Sequence, residues 1–259
     1  MDGVLWRGDR PMPGLAEFFA FLRRRPIPFI LATNNASRLA SSYAEKLAGY
    51  GIAVSSAEII TSAQATAEYL AERAEPGAPI YVVGMEGLRQ TLAGRGFRLL
   101  DDAAEPGSAH YVVGSWDRHV SFDKLAAATL HIRAGATFIA TNADRTWPGE
   151  RGLLPGAGAI LAALVAAADV EPTVIGKPAP TMLQIAMHRM GAEPASTAML
   201  GDRLETDILG GQNAGLTTIL VLSGVTQPAD LETSPIQPDF VFENIAALTQ
   251  AWRRMTKDG

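Results

Sequence analysis

The chain has 259 residues, with 22 Lys and Arg against 27 Asp and Glu, and a formal net charge of −5. That mild acidity argues against a general nucleic-acid or anionic-membrane surface. The absence of cysteine excludes disulfides, thiolate metal sites and a cysteine nucleophile.

No apolar run approaches the roughly 20 residues that cross a bilayer. No basic segment followed by an apolar stretch resembles a secretory signal. A cytoplasmic enzyme is the default expectation. The length suits one large domain, or a core carrying a smaller inserted module.

In chain order, Pro11 to Gly14 reads as a turn, and Leu15, Phe18, Phe19 and Leu22 line one face of a helix. Arg23 to Arg25 read as its solvated end, stopped by Pro26. Ile27 to Ala32 reads as a buried strand running into Thr33-Asn34-Asn35. A helix is expected over 38–50, with Leu39, Tyr43 and Leu47 inward. A brief strand at 59–61 precedes a helix over 62–73, with Thr61 or Ser62 as N-cap. Strand–helix alternation is the grammar of a parallel sheet with crossover helices.

The segment Glu75 to Pro79 reads as a linker. Beyond it, Tyr81-Val82-Val83-Gly84 and Tyr111-Val112-Val113-Gly114 are near copies, two similar strand ends. A helix at 86–93, a strand at 97–100, a helix at 122–134 and a strand at 137–141 follow. A turn at Pro155-Gly156 leads into a helix over 159–168. From Thr173 the first grammar resumes, with a strand end at Val174 to Pro178 and a helix at 181–190. A strand at 197–200 delivers Gly201-Asp202-Arg203, followed by a helix at 206–214. Strands at 217–222 and 239–242 and a closing helix at 245–252 complete the pattern. The expected division is a core of 1–77 and 173–259, with an α/β insertion at 78–172. The four histidines show no metal spacing.

Four polar clusters fall where apolar strands end: Asp2-Gly3, Thr33-Asn34-Asn35, Lys177, and Asp202 with Asp207. Ligands of open parallel sheets bind at the carboxyl ends of strands, so these clusters are expected to converge. Carboxylates with open positions suit a hard cation such as Mg²⁺. A hydroxyl, backbone N–H groups and an ammonium suit a phosphate dianion. Together they imply phosphoryl transfer, in which catalysis is mostly positioning and charge neutralisation.

The same four clusters, in this order, resemble the motifs of the haloacid dehalogenase superfamily of phosphatases. Asp2-Gly3-Val4-Leu5-Trp6-Arg7-Gly8 is similar to the end of its first motif, D-x-D-G. Thr33-Asn34-Asn35 is similar to the second, Lys177-Pro178 to the third, and Gly201-Asp202-Arg203-Leu204-Glu205-Thr206-Asp207 to the fourth. The second-motif wording, the Gly-Asp-Arg-x-x-Thr-Asp form and the insertion between motifs two and three resemble the branch of NagD-type, p-nitrophenyl-phosphate and phosphoglycolate phosphatases.

The resemblance implies a three-layer, Rossmann-like parallel α/β core with an inserted α/β cap, and Mg²⁺-dependent hydrolysis of a small phosphomonoester. It implies Asp2 as general acid and base, its carbonyl also on Mg²⁺. Thr33 and the Asn34 N–H would hold the phosphoryl group, and Lys177 would neutralise charge. Asp202 would bind the metal directly, and Asp207 through water or as a supporting partner. Asn142, Asp144 and Arg145 in the cap either contact substrate or only form a turn. A homodimer through the cap is compatible by resemblance alone.

One departure accompanies these matches. The nucleophile of the resemblance is the first aspartate of D-x-D, and Met1 stands at the middle position. The expectation is a sequence shortened at its start, inactive or nearly so as given. The alternatives are a non-catalytic relative that binds phosphate esters or proteins, and a phosphotransferase.

Overall fold

The computed structural model describes residues 1–149 and 152–255. Residues 150–151, within the expected insertion, and 256–259 lie outside the described residues. The fold is α/β, with parallel strands joined through helices. Contacts divide the chain into two compact units. One comprises Met1–Ala32, Tyr43–Ile59 and Lys177–Gly259; the other comprises Thr33–Ser42 and Ile60–Gly176. Residues 60–77, which the sequence groups with the core, therefore fall in the second unit. There the helix Ser62–Ala71 lies against the helix Glu86–Gly94.

The first unit holds a parallel sheet of Ala198–Gly201, Thr217–Val221 and Phe240–Phe242, with Thr217–Val221 central. The central strand is buried apart from its first residue, as a strand covered on both faces must be. Leu183, Met187, Met199, Ala214 and Leu216 form one apolar cluster beside it. Phe18 and Phe21, on the helix Leu15–Arg24, stack on Trp252 of the helix Ile245–Met255, with ring centroids 6.2 and 5.8 Å apart.

The second unit holds five parallel strands in the order Thr173–Val174, Thr137–Ala140, Tyr111–Gly114, Pro79–Val83 and Arg98–Leu99. Val83, Val112, Phe138, Leu161 and Leu164 lie in its main apolar cluster. The antiparallel hairpin Thr146–Gly149 and Gly152–Pro155 precedes the helix Ala157–Ala168. Gly156, at the N-cap, could carry no side chain, because a Cβ there would lie 2.2 Å from the Asp144 carbonyl oxygen. No described helix is long and apolar enough to cross a membrane.

Several local expectations need correction. The expected strand over 27–32 shrinks to Leu31–Thr33, half-buried. Pro28 cannot donate to a ladder, and Ile27 is exposed. Leu39 is exposed because the helix begins at Ala40. Arg23 is not merely solvated: its guanidinium holds the Glu58 carboxylate bidentately and lies 4.7 Å from the Phe29 ring centroid. The expected helix over 206–214 is a π-helical turn, Leu204–Ile208, followed by the α-helix Leu209–Asn213.

Candidate active site

In the first unit, three strand-end clusters meet. Lys177 Nζ donates to Asp207 Oδ1 at 2.6 Å. The other oxygen of Asp207 accepts the backbone N–H groups of Asp202 (3.1 Å) and Arg203 (3.2 Å). The π turn provides this geometry: its wider coil brings Asp207 back under the end of the strand Ala198–Gly201. A side chain at Gly201 would collide with Asp207 itself, at 2.2 Å from its Cβ. Lys177, Asp202 and Asp207 are all buried, at 5, 4 and 6 % exposure.

Asp202 is held differently. Its Oδ2 accepts the Val225 N–H at 2.9 Å and its carbonyl accepts the Thr226 N–H at 3.1 Å. Gly3 and Gly224 press against it from two sides, where a Cβ would lie 2.4 and 2.1 Å from Oδ2. Gly3 also has φ of +78°, a conformation that favours glycine. The Ser223 hydroxyl donates to the Gly3 carbonyl at 2.8 Å, and Arg7 donates to the Ser223 carbonyl at 2.7 Å. The loop carrying Asp2 is thereby fastened beside the Asp202 loop. Asp2 is exposed, and its carboxylate accepts the Gly3 N–H at 3.1 Å.

The electrostatics follow from burial. Burial first, and then the neighbouring Asp207 charge, push the Asp202 carboxyl above the usual carboxylate range. Burial also acts on Asp207, but the Lys177 ammonium and the hydrogen bonds outweigh it and hold that carboxyl below the usual range. The Met1 α-amino group is lowered, chiefly by burial and then by Lys177, against the opposing pull of Asp207, Asp202 and Asp2. Asp207 is thus a paired carboxylate with its acceptor sites engaged. Asp202 is a buried carboxylate whose Oδ2 accepts the Val225 N–H.

Among the described residues, no three His, Cys, Asp or Glu side chains gather closely enough to form a metal cage by themselves. Mg²⁺ typically takes one or two carboxylates and fills its shell with water and substrate oxygens. The buried Asp202 carboxylate beside the Asp2 loop is the feature of this site that suits such a cation.

In the second unit, Thr33 and Asn34 begin a second polar constellation. The Asn34 carbonyl accepts the Ser62 hydroxyl at 2.5 Å and the Asn142 amide at 2.9 Å. The Asn34 amide donates to Asp144 at 3.2 Å. The Asp144 N–H in turn reaches Asn142 Oδ1 at 3.2 Å. Gly176 lies so close that a Cβ would meet Asn34 Oδ1 at 2.8 Å. Thr33 Oγ1 accepts the Asn35 N–H at 3.3 Å. Of the expected cap residues, Asn142 and Asp144 join Asn34, and Arg145 is exposed.

Residues 1–98 match the family described as haloacid dehalogenase-like hydrolase, and residues 174–248 match one described as HAD-hydrolase-like. An acid sugar phosphatase of Staphylococcus saprophyticus is 38% identical over 245 residues, 95% of this chain and 93% of that protein. The chain belongs to the haloacid dehalogenase-like hydrolases.

Two solved structures place it within the NagD-type branch of that family. NagD from E. coli K-12 superposes with a TM-score of 0.86 at 35% identity, covering 95% of this chain and 94% of its own. The glycerol phosphate phosphatase Rv1692 from Mycobacterium tuberculosis, solved in complex with magnesium, gives 0.86 at 36%, covering 96% and 74%.

Within this haloacid dehalogenase-like chain, some residues escaped the sequence reading. The sequence pattern offers Ser62 only as an alternative N-cap; Thr61 is the N-cap, accepting the Gln64 N–H at 3.2 Å, and the Ser62 hydroxyl donates to the Asn34 carbonyl. Ser223 and Gly224 follow the end of the strand Thr217–Val221. A strand-end position with small residues was the available signal for both, the same rule that selected Asp202.

Proposed function

We propose that this chain is the body of an Mg²⁺-dependent phosphatase acting on a small phosphomonoester. The observation that carries the reading is the buried Lys177–Asp207 pair beside the buried Asp202 carboxylate, next to the loop of Asp2. Asp202 and the Asp2 carbonyl would hold Mg²⁺, with Asp207 supporting it through water or through the Asp202 backbone. The ion would offset phosphoryl charge in the way such cations do.

Thr33 and the Asn34 N–H bind the phosphoryl oxygens, and Lys177 neutralises their charge. Residues 78–172 act as the cap that supplies specificity, with Asn142, Asp144 and Arg145 toward the substrate.

The reaction has two steps. In a chain that carries an aspartate two positions before Asp2, that carboxylate would attack phosphorus, forming an aspartyl-phosphate as the P–O bond to the leaving alkoxide breaks. Asp2 gives that alkoxide its proton. Asp2 then takes a proton from water as the water attacks phosphorus, releasing phosphate and restoring the nucleophile. A polypeptide of these 259 residues contains no such nucleophile, so its expected turnover is negligible. The other reading, a non-catalytic binder of phosphate esters, shares every other residue.

The test is hydrolysis of p-nitrophenyl phosphate, then of a panel beginning with sugar phosphates and glycerol phosphate. It compares this polypeptide with one extended upstream by an apolar segment ending in aspartate. Mg²⁺-dependent turnover gained on extension supports the enzyme. An extended chain that binds phosphate esters without turnover supports the binder.

A further inference from the structure

The first unit carries a cleft of about 330 Å³, near the lower end for pockets that hold small molecules. It lies between the π-helical turn Leu204–Ile208 and the helix Pro228–Thr233. Asp2, Lys177, Asp202 and Asp207 do not line it. Val225 and Thr226 do, and their backbone N–H groups are the ones that hold Asp202 from the other side of the loop.

The lining is selective in charge. Glu205 from the turn and Asp230 from the helix both border the cleft, and both are exposed. Neither has a cation beside it among the described residues, and Asp230 Oδ2 accepts the Gln227 N–H at 2.7 Å. No lysine or arginine lines the cleft, so an anion finds nothing there to pair with. Leu204, Val225 and Pro235 supply apolar wall.

Thr226 adds an independent sign of an occupant. The residue is 4 % exposed, it lines the cleft, and its hydroxyl has no hydrogen-bond partner among the described residues. Buried hydroxyls are normally paired, and the space open to this one is the cleft. A ligand that suits these walls carries positive charge for the two carboxylates, a donor for the hydroxyl and methylenes for the apolar side. A bare metal ion leaves the apolar wall unused.

We propose that this cleft binds a short aliphatic diamine. Its ammonium groups pair with Glu205 and Asp230, its methylenes lie along Leu204, Val225 and Pro235, and one N–H is donated to the Thr226 hydroxyl. The proposal concerns a site apart from phosphate chemistry and stands whether or not the chain turns over a phosphate ester.

The test is a ¹H–¹⁵N NMR titration at physiological ionic strength, with putrescine and the neutral butane-1,4-diol as probes. The Glu205, Val225, Thr226 and Asp230 amides should shift together and saturate, with putrescine held about tenfold more tightly than the diol, the scale of two exposed ion pairs. Glu205→Gln should weaken putrescine about fivefold, and Thr226→Val about threefold. Glu171→Gln removes an exposed acid outside the cleft and should change nothing. Should Thr226→Val fail to fold, Glu205→Gln at its exposed position decides. The net charge of −5 attracts polyamines diffusely, so location and saturation are the criteria. No binding, equal affinity for the diol, full affinity in Glu205→Gln, or unsaturating shifts spread over the acidic surface would each overturn the site.

Discussion

Replacing Lys177 with methionine keeps the length of the side chain and removes its charge. Asp207 then keeps its hydrogen bonds from the Asp202 and Arg203 N–H groups but loses the ammonium 2.6 Å away. Both partners are more than nine-tenths buried. Breaking one side of such a pair costs about 3–5 kcal/mol, because an uncompensated buried charge remains.

The pH dependence has a definite sign. In wild type, the Asp207 pKa is depressed, so its stabilisation is fully present above the unfolded value of about 3.9 and is lost as pH falls through the folded one. In Lys177→Met, burial acts on Asp207 with its main opposing charge gone, and its folded pKa rises. The cost of the substitution is therefore largest at neutral pH and shrinks on acidification. Urea titrations in EDTA at pH 7.5 and 5.0 measure both terms. Lys177→Met/Asp207→Asn should recover part of the loss at pH 7.5. A single-variant loss below about 1 kcal/mol, or one that grows toward pH 5.0, would refute the buried-pair account.

Two further outcomes follow from other positions. His131 is buried with neither ring nitrogen hydrogen-bonded among the described residues, and burial lowers its pKa. The unfolded state therefore takes up protons first, and stability falls as pH drops below the unfolded value of about 6.5. His131→Phe should flatten the loss between pH 7 and 5 in urea titrations, and an unchanged slope would count against it. Gly224→Ala forces a methyl to within 2.1 Å of Asp202 Oδ2. It should cost about 1–3 kcal/mol by overpacking and weaken any Mg²⁺-induced rise in melting temperature. Wild-type values for both would show that the loop yields freely.

The buried strands were legible because strands covered on both faces are runs of apolar residues: Tyr81 to Val83, Tyr111 to Val113 and Thr217 to Val221 all lie where composition put them. The run at 27–32 misled because apolar content does not weigh the missing N–H of Pro28. Lys177, Asp202 and Asp207 were legible as a group, since Lys177 and Asp202 each follow the end of an apolar strand and Asp207 lies five residues beyond Asp202. The π turn was not, because no residue preference distinguishes it from an α-helical start. The links from Asn34 to Asn142 and Asp144 span 108 and 110 residues. No local pattern encodes a contact at that range. Its trace in the sequence is the small residue at Gly176, whose purpose appears only when Asn34 is seen against it.

The most direct test of the central claim is p-nitrophenyl phosphate hydrolysis by three polypeptides in Mg²⁺: the 259-residue chain, its aspartate-extended form, and the extended form with Asp202→Ala. Negligible turnover by the first, robust turnover by the second and its loss in the third are the predicted results. Robust turnover by the 259-residue chain, abolished by Asp202→Ala within it, would contradict the assignment of the nucleophile.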